Sequence, residues 1–243
     1  MRLALLLLMV LTGTVPLAAD ELPGAGPLVD AACMDCHADA TSAWREGPHG
    51  AARDVGCVAC HGERHDAAGS QARQSKSCIA CHGGEKEAWG RSYATSKHGV
   101  IATLEGTRWD WTQRLAQANY RAPTCAYCHM HDGMHGQLLS PDVLETSCAD
   151  CHSGRYVEAL FAAGRRMLRI ADLKLAEATA AAGSNPPQDV EQMLVHMKTK
   201  TLRNLRLGVG HQSPDYQWWY GHAALDGDLI GIKAAISRHA RQP

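Results

Sequence analysis

The chain is short of aromatic rings. Among 243 residues there are six Trp, six Tyr and one Phe. A globular domain of this size normally fills its core with more large apolar side chains, so some other bulky group is expected to do the filling. Net charge is also lacking, since 25 acidic and 24 basic residues leave a formal charge of −1. That balance excludes a nucleic-acid binder that depends on a basic face. It also argues against a disordered chain, which pairs high net charge with few apolar residues. Strand-like alternation, a glycine-rich phosphate loop and a nucleophile elbow are all missing. Long apolar runs are confined to the N-terminus, where Met1-Arg2 precedes the apolar stretch Leu3 to Leu11 and Pro16 to Asp20 form a cleavage-like region. The run is short for a span of about 20 residues. Residues 1–19 therefore read as a signal peptide, with a periplasmic or otherwise exported mature protein, rather than as an uncleaved anchor.

What is abundant is cysteine and histidine, with ten Cys and fourteen His. Every cysteine falls in one pattern. Motif 1 is Cys33-Met34-Asp35-Cys36-His37 and motif 2 is Cys57-Val58-Ala59-Cys60-His61. Motif 3 is Cys78-Ile79-Ala80-Cys81-His82, motif 4 is Cys125-Ala126-Tyr127-Cys128-His129, and motif 5 is Cys148-Ala149-Asp150-Cys151-His152. C-x-x-C-H is the c-type haem attachment signature. Two thiols three positions apart can each add to one vinyl group of a porphyrin, and the next His then reaches the iron as an axial ligand. Zinc ribbons need no His after each C-x-x-C pair. A thioredoxin-like C-x-x-C would occur once, in a βαβ setting. Disulfides, though suited to an exported protein, impose no recurrence of Cys-His. The expectation is five covalently attached haem c groups, whose porphyrins replace the missing aromatic core.

Nine histidines remain after the five motif histidines. His49 and His98 are the foremost candidates for second axial ligands. Both lie between motifs and precede a glycine, which would let the backbone pass close to a flat porphyrin. His65 follows motif 2 by four residues, His135 closes the stretch His131 to His135, and His211 precedes a helix start. His131, His196, His222 and His239 rank lower. Met130 and Met134 are the alternative ligands near motif 4, but the surplus of histidine favours bis-His, low-potential haems.

The predicted architecture is mostly α-helix with extensive loops, in two regions. Residues 20–152 carry the motifs, whose first cysteines are spaced by 24, 21, 47 and 23 residues. The long gap holds Trp89, Trp109 and Trp111 and is expected to form one or two helices. Residues 153–243 form a C-terminal helical region available for oligomerisation. Its first helix runs from about Tyr156 to Ala182, with an apolar stripe of Leu160, Met167, Ala171 and Leu175, and ends at Gly183 before Pro186-Pro187. Asp189 starts a second, with Gln192 close to a capping-box position and a stripe of Val190, Leu194, Met197 and Leu205. Ser213-Pro214 starts a third that carries Trp218, Trp219 and Tyr220 and breaks near Gly227. The aromatic cluster is expected to serve as core packing, as a haem cover or as a subunit interface.

Ser96-Lys97-His98-Gly99-Val100-Ile101, Trp109, Trp111 and Ala122 to Met130 resemble the penultimate haem region of the hydroxylamine oxidoreductase family of multihaem cytochromes. Cys148 to Tyr156 and the following helix resemble its last haem, and Ser213 to Gly221 its C-terminal segment. The resemblance covers most of residues 30–225. Pentahaem nitrite reductases and small tetrahaem carriers are more distantly similar. The family's hydroxylamine-oxidising enzymes carry eight haems, so relative to them either the first three or a middle block including the catalytic haem is missing. In that family the catalytic iron has an open position, in some members with a cross-linked tyrosine, for which Tyr216 and Tyr220 are the counterparts. All five motifs end in His, with no C-x-x-C-K as in the pentahaem nitrite reductases.

Three functions follow. The first is an electron carrier passing electrons between redox partners, either other cytochromes or a quinol-oxidising membrane subunit. The second is an enzyme acting on a small nitrogen compound, hydroxylamine or a nitrogen oxyanion, at one five-coordinate haem. No catalytic residue is assigned, and His131, His222 or His239 could then move protons. The third is a subunit whose C-terminal helices dock a larger redox complex or a quinol-oxidising membrane partner.

Overall fold

The computed structural model describes residues 30–51, 55–83, 87–136 and 140–242. The expected signal peptide, residues 1–19, lies outside them. The architecture is helical, with no strand among the described residues. The motif-bearing region is a succession of short helices: α1 (Asp30–Cys36), α2 (Ala38–Glu46), α3 (Pro48–Ala51), α4 (Cys57–His61), α5 (Ala68–Ala72) and α6 (Ser75–Ile79). They are followed by α7 (Ala88–Ala94), α8 (Lys97–Glu105), α9 (Cys125–His129) and α10 (Pro141–Ala149). Serine hydroxyls start two of them. Ser96 Oγ accepts from Gly99 N at 3.1 Å, and Ser140 Oγ accepts from Val143 N at 3.3 Å. Each cap satisfies a backbone donor that the first helical turn leaves unpaired.

The C-terminal region is built differently. Helix α11 (Gly154–Ala182) runs for 29 residues, opened by Ser153 as N-cap and closed by Gly183 at φ +73°. Helices α12 (Gln188–His196) and α13 (Leu202–Gly210) are joined through a π-helical turn, Met197–Thr201. Helices α14 (Pro214–Gln217) and α15 (Ala223–His239) are joined in the same way through Trp218–His222. No described helix is long and apolar enough to cross a membrane. Ala171, Ala178, Val190, Met197, Leu202, Leu205, Leu225, Ile232 and Ala235 form one buried apolar cluster, all of it in this region.

The helical stripes need adjustment. In α11 the buried residues are Val157, Gly164, Ala171 and Ala178, one every seventh residue. Leu160, Met167 and Leu175 are only half-buried. Small side chains on a seven-residue repeat let α13 and α15 approach closely, which a stripe chosen for side-chain size misses. Helix α12 starts at Gln188, one residue before the expected Asp189, and has no side-chain cap. Instead, Asp189 Oδ1 lies 2.8 Å from His239 Nε2 on α15. Ser213 likewise caps nothing with its side chain and hydrogen-bonds Thr95 Oγ1 at 2.9 Å. The expected break near Gly227 is absent, because α15 continues to His239. Gly227 is exposed while Leu225 and Ile232 are fully buried. Core packing on both sides outweighs a glycine penalty of about 1 kcal/mol.

Candidate haem-binding site

Each motif occupies a turn of helix or its end, so the histidine follows its first cysteine by one turn and shares its face. His37 N donates to Cys33 O at 3.0 Å, and His82 N and His152 N donate to Cys78 O and Cys148 O at 2.9 Å. His61 and His129 close the helices α4 and α9.

The motifs follow one another in space in chain order. Helix α4 packs on α1, α6 on α4, α9 on α6, and α10 on α9. At sulfur level Cys57 pairs with Cys33, Cys60 neighbours Cys81, Cys78 pairs with Cys125, and Cys128 neighbours Cys148. Side chains tie the successive motifs together. Asp30 Oδ1 accepts from Val58 N at 3.0 Å, linking motifs 1 and 2. Ser75 Oγ accepts from Cys125 N at 3.3 Å, linking motifs 3 and 4. Between motifs 4 and 5, Tyr127 donates to Asp150 Oδ2, and His131 Nε2 lies 3.0 Å from the same oxygen. These hydrogen bonds hold the Asp150 carboxyl below its ordinary range, Tyr127 contributing most.

Opposite each motif histidine stands one of the spare histidines. The ring centroids are 6.2 Å apart for His37–His65, 6.0 Å for His61–His135 and 6.0 Å for His82–His49. They are 6.3 Å apart for His129–His211 and 6.2 Å for His152–His98. Stacked rings in van der Waals contact lie closer together. One metal–imidazole bond of about 2.0–2.1 Å plus roughly 1.1 Å from nitrogen to ring centre, taken twice, spans about 6.2–6.4 Å. The donor set and its spacing thus fit an iron held between two imidazoles at each motif. The two histidines of each pair come from different segments, so a metal held between them would also crosslink the chain. Burial shifts His61, His98, His129 and His211 towards the neutral form that a metal needs; the facing imidazole adds to it at His61, His98 and His211, and His82 adds to it at His129. His211 is lowered to about 4. At His61 the tautomer follows from its partner. Nδ1 lies 3.2 Å from Ala68 O, which can only accept, so Nδ1 carries the proton and Nε2 keeps its lone pair.

The glycines after His49 and His98 act differently from expectation. A Cβ on Gly50 would lie 2.1 Å from Trp44 O, and one on Gly99 2.1 Å from Tyr93 O. What approaches each glycine is the backbone of the preceding helix. The two sites match to the second contact, Arg45 Cα and Ala94 Cα, both at 2.8 Å. Helix α2 with α3 and helix α7 with α8 therefore present one duplicated turn: an aromatic residue, then His five positions on, then Gly. Trp44 to Gly50 and Tyr93 to Gly99 carry that repeat in the sequence, and sequence reasoning missed it.

The other histidines have other neighbours. His131 joins Asp150, His239 joins Asp189, and His222 is half-buried near Lys174 and Asp226. His196 lines a shallow groove with Met193, Asp228 and Arg238. Met134 is exposed. Tyr216 is buried against Tyr220 with centroids 4.8 Å apart, and Arg91 lies 4.3 Å over the Tyr220 ring. Among the described ring contacts neither tyrosine meets a motif histidine, whereas Tyr156 lies 5.0 Å from His152. Trp218 and Trp219 are 55% and 66% exposed, which rules out core packing for them. Sequence reasoning also missed Ser92, fully buried, whose Oγ is 2.7 Å from His211 Nδ1. A polar residue inside a short helix carries no signal that marks it.

Residues 46–141 match the family model described as seven times multi-haem cytochrome CxxCH. A probable nitrite reductase–hydroxylamine oxidoreductase fusion protein of Kuenenia stuttgartiensis is 35% identical over 92 residues, covering 32% of this chain and 11% of that protein. A solved reducing HAO-like (hydroxylamine-oxidoreductase-like) protein complex of the same organism superposes with a TM-score of 0.58 at 20% identity, covering 77% of this chain and 60% of that one. The chain thus spans about a tenth of the curated relative and three fifths of the solved one. Motif, family match and helical fold agree: residues 46–141 match a multihaem CxxCH cytochrome family, whose motifs imply covalently bound haem c, and the chain has the fold of the HAO-like proteins.

Proposed function

We propose that the chain is an exported pentahaem electron-transfer cytochrome in which all five irons are closed by two histidines. One observation carries this reading: every motif histidine faces a second histidine at 6.0–6.3 Å. Haem c supplies a one-electron iron couple at each motif. Cys33 and Cys36, Cys57 and Cys60, Cys78 and Cys81, Cys125 and Cys128, and Cys148 and Cys151 supply the thioethers. His37 with His65, His61 with His135, His82 with His49, His129 with His211, and His152 with His98 would hold the irons.

The chain's own residues then do three things. The imidazole pairs would hold each iron from two sides and would leave a substrate no place on it. The side-chain links from Asp30 to motif 2, from Ser75 to motif 4 and from Tyr127 to motif 5 fix the order and spacing of the motifs. That order, running from motif 1 to motif 5, supports a relay with an entry and an exit at its two ends. Export rests on the Met1 to Asp20 pattern. The solved relative is a complex of two HAO-like proteins, which supports another cytochrome as the redox partner.

The competing reading takes its support from the fusion protein's printed name, which joins nitrite reduction to hydroxylamine oxidation. Electron paramagnetic resonance of the oxidised holoprotein, with intact mass for the haem count, decides between the two. Five haems and only low-spin iron are expected. A high-spin fraction that shifts on adding nitrite or hydroxylamine would replace the carrier by the enzyme.

A further inference from the structure

His211 stands apart from the other nine histidines of the pairs, because it alone comes from the C-terminal helical region. It caps α13, and the next residue, Gln212, turns the chain with φ +52°, a value that non-glycine residues rarely adopt. A ligand delivered from such a turn needs something to fix its ring. Two contacts do so. Tyr93 meets the imidazole edge-on at 6.1 Å, held in place by its hydroxyl donating to Pro123 O at 2.8 Å. Ser92 Oγ lies 2.7 Å from His211 Nδ1.

The direction of that second bond decides what the other ring nitrogen can do. A serine hydroxyl has one proton. Ser92 Oγ is also placed to donate to Trp89 O at 3.0 Å, one turn back on α7. With its proton committed to a carbonyl, the hydroxyl can only accept from the ring, so Nδ1 carries the hydrogen and Nε2 keeps its lone pair towards His129. The reverse direction would place a hydrogen on Nε2, between the two rings, and would close the position to a metal. Ser92 is fully buried, so water does not compete for either bond.

We infer that Ser92 is a positioning residue that sets the tautomer and ring orientation of His211, and so determines whether the iron of motif 4 has a second ligand. The inference rests on the reading of His211 as that ligand. Outer partners of metal-bound histidines commonly act in this way, and their loss typically costs 10–100-fold in metal affinity. Here the loss falls on one iron of five, because Ser92 touches no other paired histidine in the described hydrogen bonds.

The test is carbon monoxide uptake by the dithionite-reduced holoprotein, with paramagnetic resonance of the oxidised form. Wild type is expected to bind none and Ser92→Ala up to one equivalent per chain, with one low-spin signal altered and four unchanged. Ser92→Cys keeps the volume with a weaker acceptor and is expected to fall between them. Thr95→Val is the control for simple loosening. It removes the neighbouring Thr95–Ser213 hydrogen bond of the same helix-to-bundle contact, with a long one to the Ser92 carbonyl, and leaves both bonds of the Ser92 hydroxyl intact. An unchanged signal set with no uptake in Ser92→Ala would overturn the inference, as would equal uptake by Thr95→Val. His211→Gly tests the underlying ligand assignment separately. If that variant opens no iron, the assignment fails, whatever Ser92→Ala does.

Discussion

His98 faces His152 across 6.2 Å, and the helical turn that delivers His98 is a copy of the one that delivers His49 to His82. In each copy the histidine serves a motif later in the chain, His49 reaching motif 3 and His98 reaching motif 5. Both copies begin after an odd-numbered motif and face the histidine of the next odd-numbered one. The histidine pairs, once joined by a metal, would therefore staple successive stretches of a region that has no cluster of buried side chains of its own among the described residues.

The five pairs differ in ring orientation, and that difference is measurable. The interplanar angle is 24° for His61–His135, 30° for His37–His65 and 38° for His98–His152. It rises to 56° for His129–His211 and 63° for His49–His82. Nearly parallel imidazoles split the two iron orbitals that they overlap, whereas crossed imidazoles leave them closer in energy and the magnetic anisotropy larger. Motifs 3 and 4 are expected to give the most anisotropic low-spin signals, and motifs 1 and 2 the more rhombic ones. His49→Ala should remove a strongly anisotropic signal and His65→Ala a rhombic one. Five superimposable signals in the wild type would refute the assignment.

Gly50 and Gly99 give a prediction whose sign is diagnostic. Inside an exposed helix, Gly→Ala would stabilise by up to about 1 kcal/mol. Here the new methyl would meet a carbonyl oxygen at 2.1 Å in both cases. That oxygen belongs to backbone that cannot swing aside, so overpacking of about 1–3 kcal/mol is expected instead. Thermal melting of Gly50→Ala and Gly99→Ala should show lower midpoints. The accompanying high-spin fraction should arise at motif 3 in the first variant and at motif 5 in the second. A raised midpoint in either would show that the turn relaxes freely.

These glycines also mark how far the sequence could be read. Covalent attachment was legible because C-x-x-C-H is a local chemical requirement, complete within five residues. The five spare histidines that face the motif histidines, His49, His65, His98, His135 and His211, could be singled out from surplus and position. Their partners could not, since pairing His61 with His135 or His129 with His211 depends on how distant segments fold together. The role of the following glycine was misread for a related reason. The sequence shows that something comes close, whereas the structure shows that it is the backbone of α2 or α7. In the bundle, a repeat of Gly164, Ala171 and Ala178 was hidden by larger neighbours such as Leu160 and Met167.

One carboxylate ties motif 5 to the segment around motif 4, besides the packing of α10 on α9. Asp150 accepts from Tyr127 and also meets His131, so one side chain of motif 5 is gripped twice by the segment around motif 4. Hydrogen bonds to a charged group contribute roughly 1.5–3 kcal/mol when shielded from water. The Asp150 side chain is 46% exposed, which brings the expected loss for Tyr127→Phe down to about 1 kcal/mol. Asp150→Ala removes both contacts and should cost more than Tyr127→Phe. Guanidinium unfolding followed in the Soret band measures both, and equal midpoints for wild type and Asp150→Ala would dismiss the link.

The two regions should also respond differently when haem attachment is prevented. From α11 to α15 the buried cluster is made of side chains alone, with Met197, Leu205, Leu225 and Ile232 fully buried. Its stability therefore rests on apolar burial worth roughly 25 cal/mol per Å² and asks nothing of a cofactor. Before Gly154 the buried residues are few and mostly small or polar, such as Thr41, Ser92, Ser96, Ala122 and Ser147, and the staples between segments are histidine pairs that need a metal to join them. Protein made without cytochrome maturation is expected to keep the helical circular-dichroism signal of about residues 154–239 and to lose protection from proteolysis before residue 153. Within that surviving bundle, Met197→Ala should cost about 2–5 kcal/mol by opening a cavity, with or without haem. Complete loss of helical signal in the haem-free protein would show that the bundle depends on the haem region for its fold.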